Sequence, residues 1–64
     1  MKRTKFKYEV VEPLDARHED VKWKGSDYLE AFRRAKKLSR DLGKPIEIHM
    51  RKGRSTIVIA QIEE

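Results

Sequence analysis

Apolar and polar positions change rhythm repeatedly along this chain, and each change marks an element. Phe6, Tyr8 and Val10 alternate with Lys7, Glu9 and Val11, the period of a half-buried strand. The segment Glu12-Pro13-Leu14-Asp15-Ala16-Arg17 breaks that alternation, because Pro13 has no amide to give a continuing central ladder. A weaker strand runs from His18 to Lys24, with Val21 and Trp23 inward and Asp20, Lys22 and Lys24 outward. So much charge suits a sheet edge, where it discourages stray pairing.

From Ser26 to Gly43 the rhythm lengthens to that of a helix. At about 100° per residue, Tyr28, Ala31, Phe32, Ala35, Leu38, Ser39 and Leu42 fall on one arc. The two alanines on that arc allow close approach to a sheet. Ser26 or Asp27 can cap the first turn, and Asp27 with Glu30 has the spacing of a capping box. Gly43 ends the helix and Pro45 prevents its resumption. On the opposite arc Arg33, Lys36, Lys37 and Arg40 are neighbours, with Leu29 projecting beside them.

Beyond the helix, Ile46, Ile48 and Met50 alternate with Glu47, His49 and Arg51. Lys52-Gly53 reads as the centre of a tight hairpin, followed by a last strand from Ser55 to Ile62. Pairing Arg51 with Arg54 sets Ile48 opposite Ile57 and Ile46 opposite Ile59 on the core face. That register leaves Val58, Ala60 and Ile62 on the other face, and a strand apolar on both sides is typically central or covered. The predicted architecture is a single α+β domain over residues 1–64 with β-β-α-β-β order. One helix packs on one face of a four-stranded, mostly antiparallel sheet, and Met1 to Lys5 form a frayed basic arm.

Composition narrows the function classes. A chain of 64 residues buries only about 60% of its unfolded surface, so its stability depends on economical packing. With no cysteine, disulfides and thiolate metal sites are excluded, and a cytoplasmic, reducing compartment is expected. No apolar run approaches the roughly 20 residues of a membrane span, and no signal-peptide core follows the basic start. Sixteen Lys and Arg against eleven Asp and Glu give a net charge of +5, which favours anionic partners.

Catalytic chemistry lacks its components. Gly25, Gly43 and Gly53 lie far apart at turns and caps and form no phosphate loop. His18-Glu19-Asp20 are adjacent on a strand, so their side chains alternate faces and do not converge on a metal. Ser26, Ser39 and Ser55 each have a structural role as cap, packing residue or turn neighbour. The expectation is a non-enzymatic module with no cofactor, no metal and no small-molecule substrate.

Two binding classes stay open. A nucleic-acid backbone could meet the helix cations Arg33, Lys36, Lys37 and Arg40, or the hairpin tip Arg51, Lys52 and Arg54 around Gly53. It could also meet an outer sheet face carrying Lys5, Lys7, Lys22 and Lys24 with His49. Phe6, Tyr8, Trp23 and Phe32 fall in core registers, so no base-stacking platform is expected. A protein partner or a second copy could instead cover Val58, Ala60 and Ile62, joined by Val11 if the first and last strands are neighbours. Leu14 and its loop offer the alternative cover for that patch.

Glu30-Ala31, Ala35-Lys36 and Leu38, then Ile46-Glu47-Ile48-His49 and Gly53, resemble a family of small bacterial domains of unknown function. In that family a helix reading E-A-x-x-x-A-(K/R)-x-L precedes a strand that ends in His and a glycine turn. Val21-Lys22-Trp23-Lys24-Gly25 is similar to its upstream Trp-bearing strand. In size and style the chain is also similar to accessory proteins that phages direct at host machinery. Neither resemblance implies a functional residue.

Overall fold

A computed structural model describes residues 7–64; the basic arm from Met1 to Lys5, and Phe6, lie outside the described residues. The elements follow the order β1 (Tyr8–Pro13), β2 (Glu19–Gly25), α1 (Tyr28–Leu42), β3 (Ile46–Lys52) and β4 (Ser55–Ile62). The four strands form one open sheet in the order β2-β1-β3-β4, with each neighbouring pair antiparallel. This is the β-β-α-β-β, α+β architecture that the alternation predicts. Two hairpins lie side by side, and α1 carries the chain from one to the other across a single face.

The helix forms where its caps allow. Asp27 is the N-cap, its carboxylate accepting from the Leu29 amide at 3.0 Å. Glu30 does not complete a capping box; it reaches along the helix to Arg34 at 2.9 Å and Arg33 at 3.8 Å. Gly43, in the left-handed region at φ 67°, closes the last turn by donating to the Ser39 carbonyl at 2.8 Å. Ala31, Ala35 and Ser39 are fully buried, so the small residues of the predicted arc bring the helix backbone down onto the sheet.

Val10, Ile46 and Ile48 meet Ala31 and Ala35 as the buried core, with Tyr8, Trp23, Phe32, Leu38, Ala60 and Ile62 packed around them. Tyr8 meets Tyr28 edge to face at 5.5 Å between ring centroids, fixing the helix start over the β1–β3 pair. Tyr28 and Leu42, at the two ends of the apolar arc, are exposed.

Three features depart from the expected registers. The hairpin turn is Gly53-Arg54, not Lys52-Gly53, and Lys52 pairs with Ser55. A tight hairpin whose first central residue has positive φ needs glycine there; Gly53 has φ 62° and every non-glycine residue described has negative φ. Centring the turn on Lys52 would have forced a lysine into that conformation. Arg51 therefore pairs with Thr56, and Met50 with Ile57.

The second departure is an irregularity between Ile48 and His49, where β4 carries one extra residue, Ile59. Past it Ile48 pairs with Ala60 and Ile46 with Ile62, so Ala60 and Ile62 turn to the helix side. They are not outer-face residues as the regular register implied. Ile57 and Ile59, expected in the core, are 44% and 39% exposed.

The third lies in β2. Val10 pairs with Trp23 but Val11 pairs with Val21, leaving Lys22 as the extra residue. Trp23 stays on the core face, whereas Val21 moves to the outer face and is exposed. Lys22 turns back toward Glu12 and Asp20 rather than outward.

Candidate functional site

The cations predicted to bind nucleic acid occupy two places, and most of them already have partners. On α1, Arg33 pairs with Glu30, and Lys37 with Asp41 at 3.5 Å. The Lys36 ammonium lies 5.6 Å from the Phe32 ring centre. Among the described residues, Arg40 is the helix cation left without a partner. At the hairpin tip Arg51 reaches Glu9 at 3.4 Å, while Lys52 and Arg54 are exposed and have no partner among the described residues. Helix patch and hairpin tip lie on different elements, α1 and the β3–β4 turn.

The outer sheet face is not the basic surface that alternation suggested. Lys24, Glu9, His49 and Val58 form one cross-strand row, and Val21, Val11, Glu47 and Gln61 the next. Acid and base alternate here: His49 is buried against Glu47, with Nε2 to Oε1 at 2.8 Å, and Glu9 is buried beside Arg51. Lys22 is absent from this face, and Lys5 lies outside the described residues. Val11, expected beside Val58, is fully buried in β1, two strands away from β4.

At the helix C-terminal end of the sheet Glu12 is buried and accepts from the Lys44 ammonium at 2.7 Å, with Lys22 at 3.4 Å. The hydrogen bond from Lys44 and then the charge of both lysines hold its carboxyl below the usual glutamate range. Asp20 holds Lys22 above the usual lysine range. The loop before β2 is closed by Asp15, whose carboxylate accepts from the Arg17 and His18 amides and contacts the His18 ring. Those hydrogen bonds, the Arg17 amide first, hold Asp15 low as well. Leu14 is 53% exposed on this loop, which joins β1 to β2 at the far side of the sheet from β4.

A shallow cleft of about 220 Å³ lies between β2 and α1, lined by Lys22, Trp23, Arg34, Lys37, Leu38 and Asp41. It falls below the roughly 300–1,000 Å³ of sites that enclose a drug-sized ligand. The Arg34 guanidinium already lies 5.8 Å from the Trp23 ring centre, partly covering it. Among the described residues, no group of three or more His, Asp or Glu side chains could hold a metal ion, and no helix is long and apolar enough to cross a membrane.

What stands apart is the difference between the two sheet edges. The β2 edge carries Glu19, Asp20, Lys22 and Lys24, and the two bridges of Lys22 to Asp20 and Glu12 tie charge across it. The β4 edge, Ser55 to Ile62, has no charged residue over its length. Ile57, Val58 and Ile59 are consecutive, β-branched and exposed on it, Val58 by 53%. The helix lies over β1, β2 and β3 and meets β4 least, so it shelters little of this strand.

Of the residues predicted for a protein interface, Val58 alone is both exposed and on β4. Its neighbours Ile57, on the helix-side parity opposite Met50, and Ile59, the extra residue, are exposed beside it. A sequence signal for this existed. In a chain that is 42% charged, an uncharged run of eight residues rich in Ile and Val is conspicuous. Compared with protein-family profiles, curated proteins and solved structures, the chain has no match.

Proposed function

We propose that this protein is a non-enzymatic protein-binding module that accepts a partner strand along the open edge of β4. The observation that carries this reading is the undefended edge: eight residues without charge, with Ile57, Val58 and Ile59 exposed in succession. An edge strand presents unpaired amides and carbonyls, and sheets normally guard such edges with charge, proline or a covering element. Among the described residues, β2 is guarded in that way and β4 is not. An added strand would take its affinity from main-chain hydrogen bonds and its selectivity from side chains meeting Ile57, Val58 and Ile59.

The test uses extended peptides of alternating Val and Thr as probes. One set leads with Arg and trails with Glu, one reverses those ends, and one is neutral. With isotope-labelled protein, binding should perturb the β4 amides from Ser55 to Ile62 and spare β2, and Val58→Lys should abolish it. Shifts confined to β2 or α1, or none with any set while the protein stays monomeric, would overturn the reading. A short DNA duplex that perturbs Arg40, Lys52 and Arg54 while the peptides do nothing would do the same, and would move the function to phosphate-backbone contact.

A further inference from the structure

Resting on the strand-edge reading, we infer that the strand received by β4 is β4 of a second copy, running antiparallel about a twofold axis between Ile57 and Ile59. The ends of the strand favour this occupant. Lys52 and Arg54 precede β4, Glu63 and Glu64 follow it, and nothing charged lies between. In an antiparallel pair the start of one strand runs beside the end of the other, which sets Arg54 of each copy near Glu63 and Glu64 of the second. Parallel pairing would instead set arginine against arginine and glutamate against glutamate. The strand is thus complementary to its own reverse, as an isologous interface requires.

The middle of the strand fits the same arrangement. Around an axis between Ile57 and Ile59, three exposed β-branched residues of one copy meet the same three of the other, a favourable class of cross-strand pair. The two sheets then become one of eight strands with both helices on the same face. Like charge on the two copies opposes this, since each carries +5. β4 itself carries none of that charge, and the helix bearing Arg33, Arg34, Lys36, Lys37 and Arg40 meets β4 least of the four strands.

Sedimentation equilibrium of the full chain from micromolar to millimolar concentration tests this directly. The parent should be in reversible monomer–dimer exchange. Arg54→Glu alone, and Glu63→Arg with Glu64→Arg, should each weaken the dimer about tenfold, since every end contact occurs twice. Combining all three substitutions should restore it. These residues are exposed, so their replacement leaves the core intact. Because the chain contains no cysteine, Val58→Cys should give a disulfide-linked dimer under mild oxidation, whereas Val21→Cys on the other edge should not. A parent that stays monomeric at millimolar concentration, or charge reversals that the combined variant does not rescue, would overturn self-pairing. If Val–Thr peptides still perturb β4 in that monomer, the second copy is wrong and the strand-edge reading stands; if they do not, both fail.

Discussion

At the scale of single residues, close approach governs this fold more than bulk does. Gly25 ends β2 opposite Tyr8, and a Cβ there would collide with the six-membered ring of Trp23, which lies back along its own strand. Trp23 in turn lines the cleft between β2 and α1 beside Leu38, with Arg34 over its face. The glycine is therefore required by an indole two residues earlier, not by backbone conformation. Gly25→Ala should displace that ring and destabilise the domain by about 1–3 kcal/mol, the usual range for overpacking. Trp23 is the sole tryptophan, so its fluorescence reports the shift directly. An unchanged emission maximum and an unchanged denaturation midpoint would show that the ring has room the geometry does not indicate. Buried polar residues follow the same economy: Ser39 accepts from the Glu64 amide at 2.9 Å, and Glu12 is bonded to Lys44. Ser39 is satisfied by that one neighbour, and Glu12 has Lys22 at 3.4 Å as its second.

At the scale of elements, the helix and the strands differ in how far the sequence discloses them. The helix repeats its signal over four turns and has a cap at each end, so its arc and limits are legible from Asp27, Gly43 and the small residues between them. Ala35→Leu should lift α1 from Val10 and Ile48 and cost about 1–3 kcal/mol in a denaturant titration. Leu29→Ala, at a side chain 65% exposed, should change stability by less than about 0.5 kcal/mol. Similar losses from the two would contradict the packing of the buried arc. Strand alternation carries only parity, and a single extra residue reverses it. In β4 the run Ile57-Val58-Ile59-Ala60-Gln61-Ile62 is apolar at both parities until Gln61, so nothing in the pattern marks Ile59 as the extra residue. Lys22 hides the irregularity of β2 in the same way, because a lysine suits either side of an edge strand. The hairpin turn was legible only in part: Gly53 marks it, but glycine suits either central position of a two-residue turn. Centring it on Lys52-Gly53 was therefore one residue early, and Lys52 pairs with Ser55. Strand order was not legible, since alternation does not say which strands are neighbours. The undefended edge and its exposed Ile57 and Ile59 follow from that order and from the extra residue.

At the scale of the whole molecule, the core is thin and the apolar surface is unevenly placed. Among the described residues, no aromatic ring is fully buried; the largest fully buried side chains there are Ile46, Ile48, Val10 and Val11. A domain of this size has little stability to spare, yet it leaves Ile57, Val58 and Ile59 open along a single edge. Joining two copies there would bury that strip and satisfy main-chain groups that otherwise face water, without altering the core. Stability would then depend on concentration, because a partner that binds only the folded chain shifts unfolding by mass action. The thermal midpoint of the parent should rise as protein concentration is raised from micromolar to millimolar. Val58→Lys puts an ammonium at the centre of the edge strand and, in a pair about the proposed axis, sets two such charges close together. Its midpoint should not vary with concentration and should match the parent only at the dilute end. Val58 is more than half exposed, so the substitution buries no charge within one chain, and a large loss of stability at the dilute end would mean that the strand is needed by its own core. Equal midpoints for the parent at every concentration would leave the single-chain core as the whole source of stability and remove the case for pairing between copies.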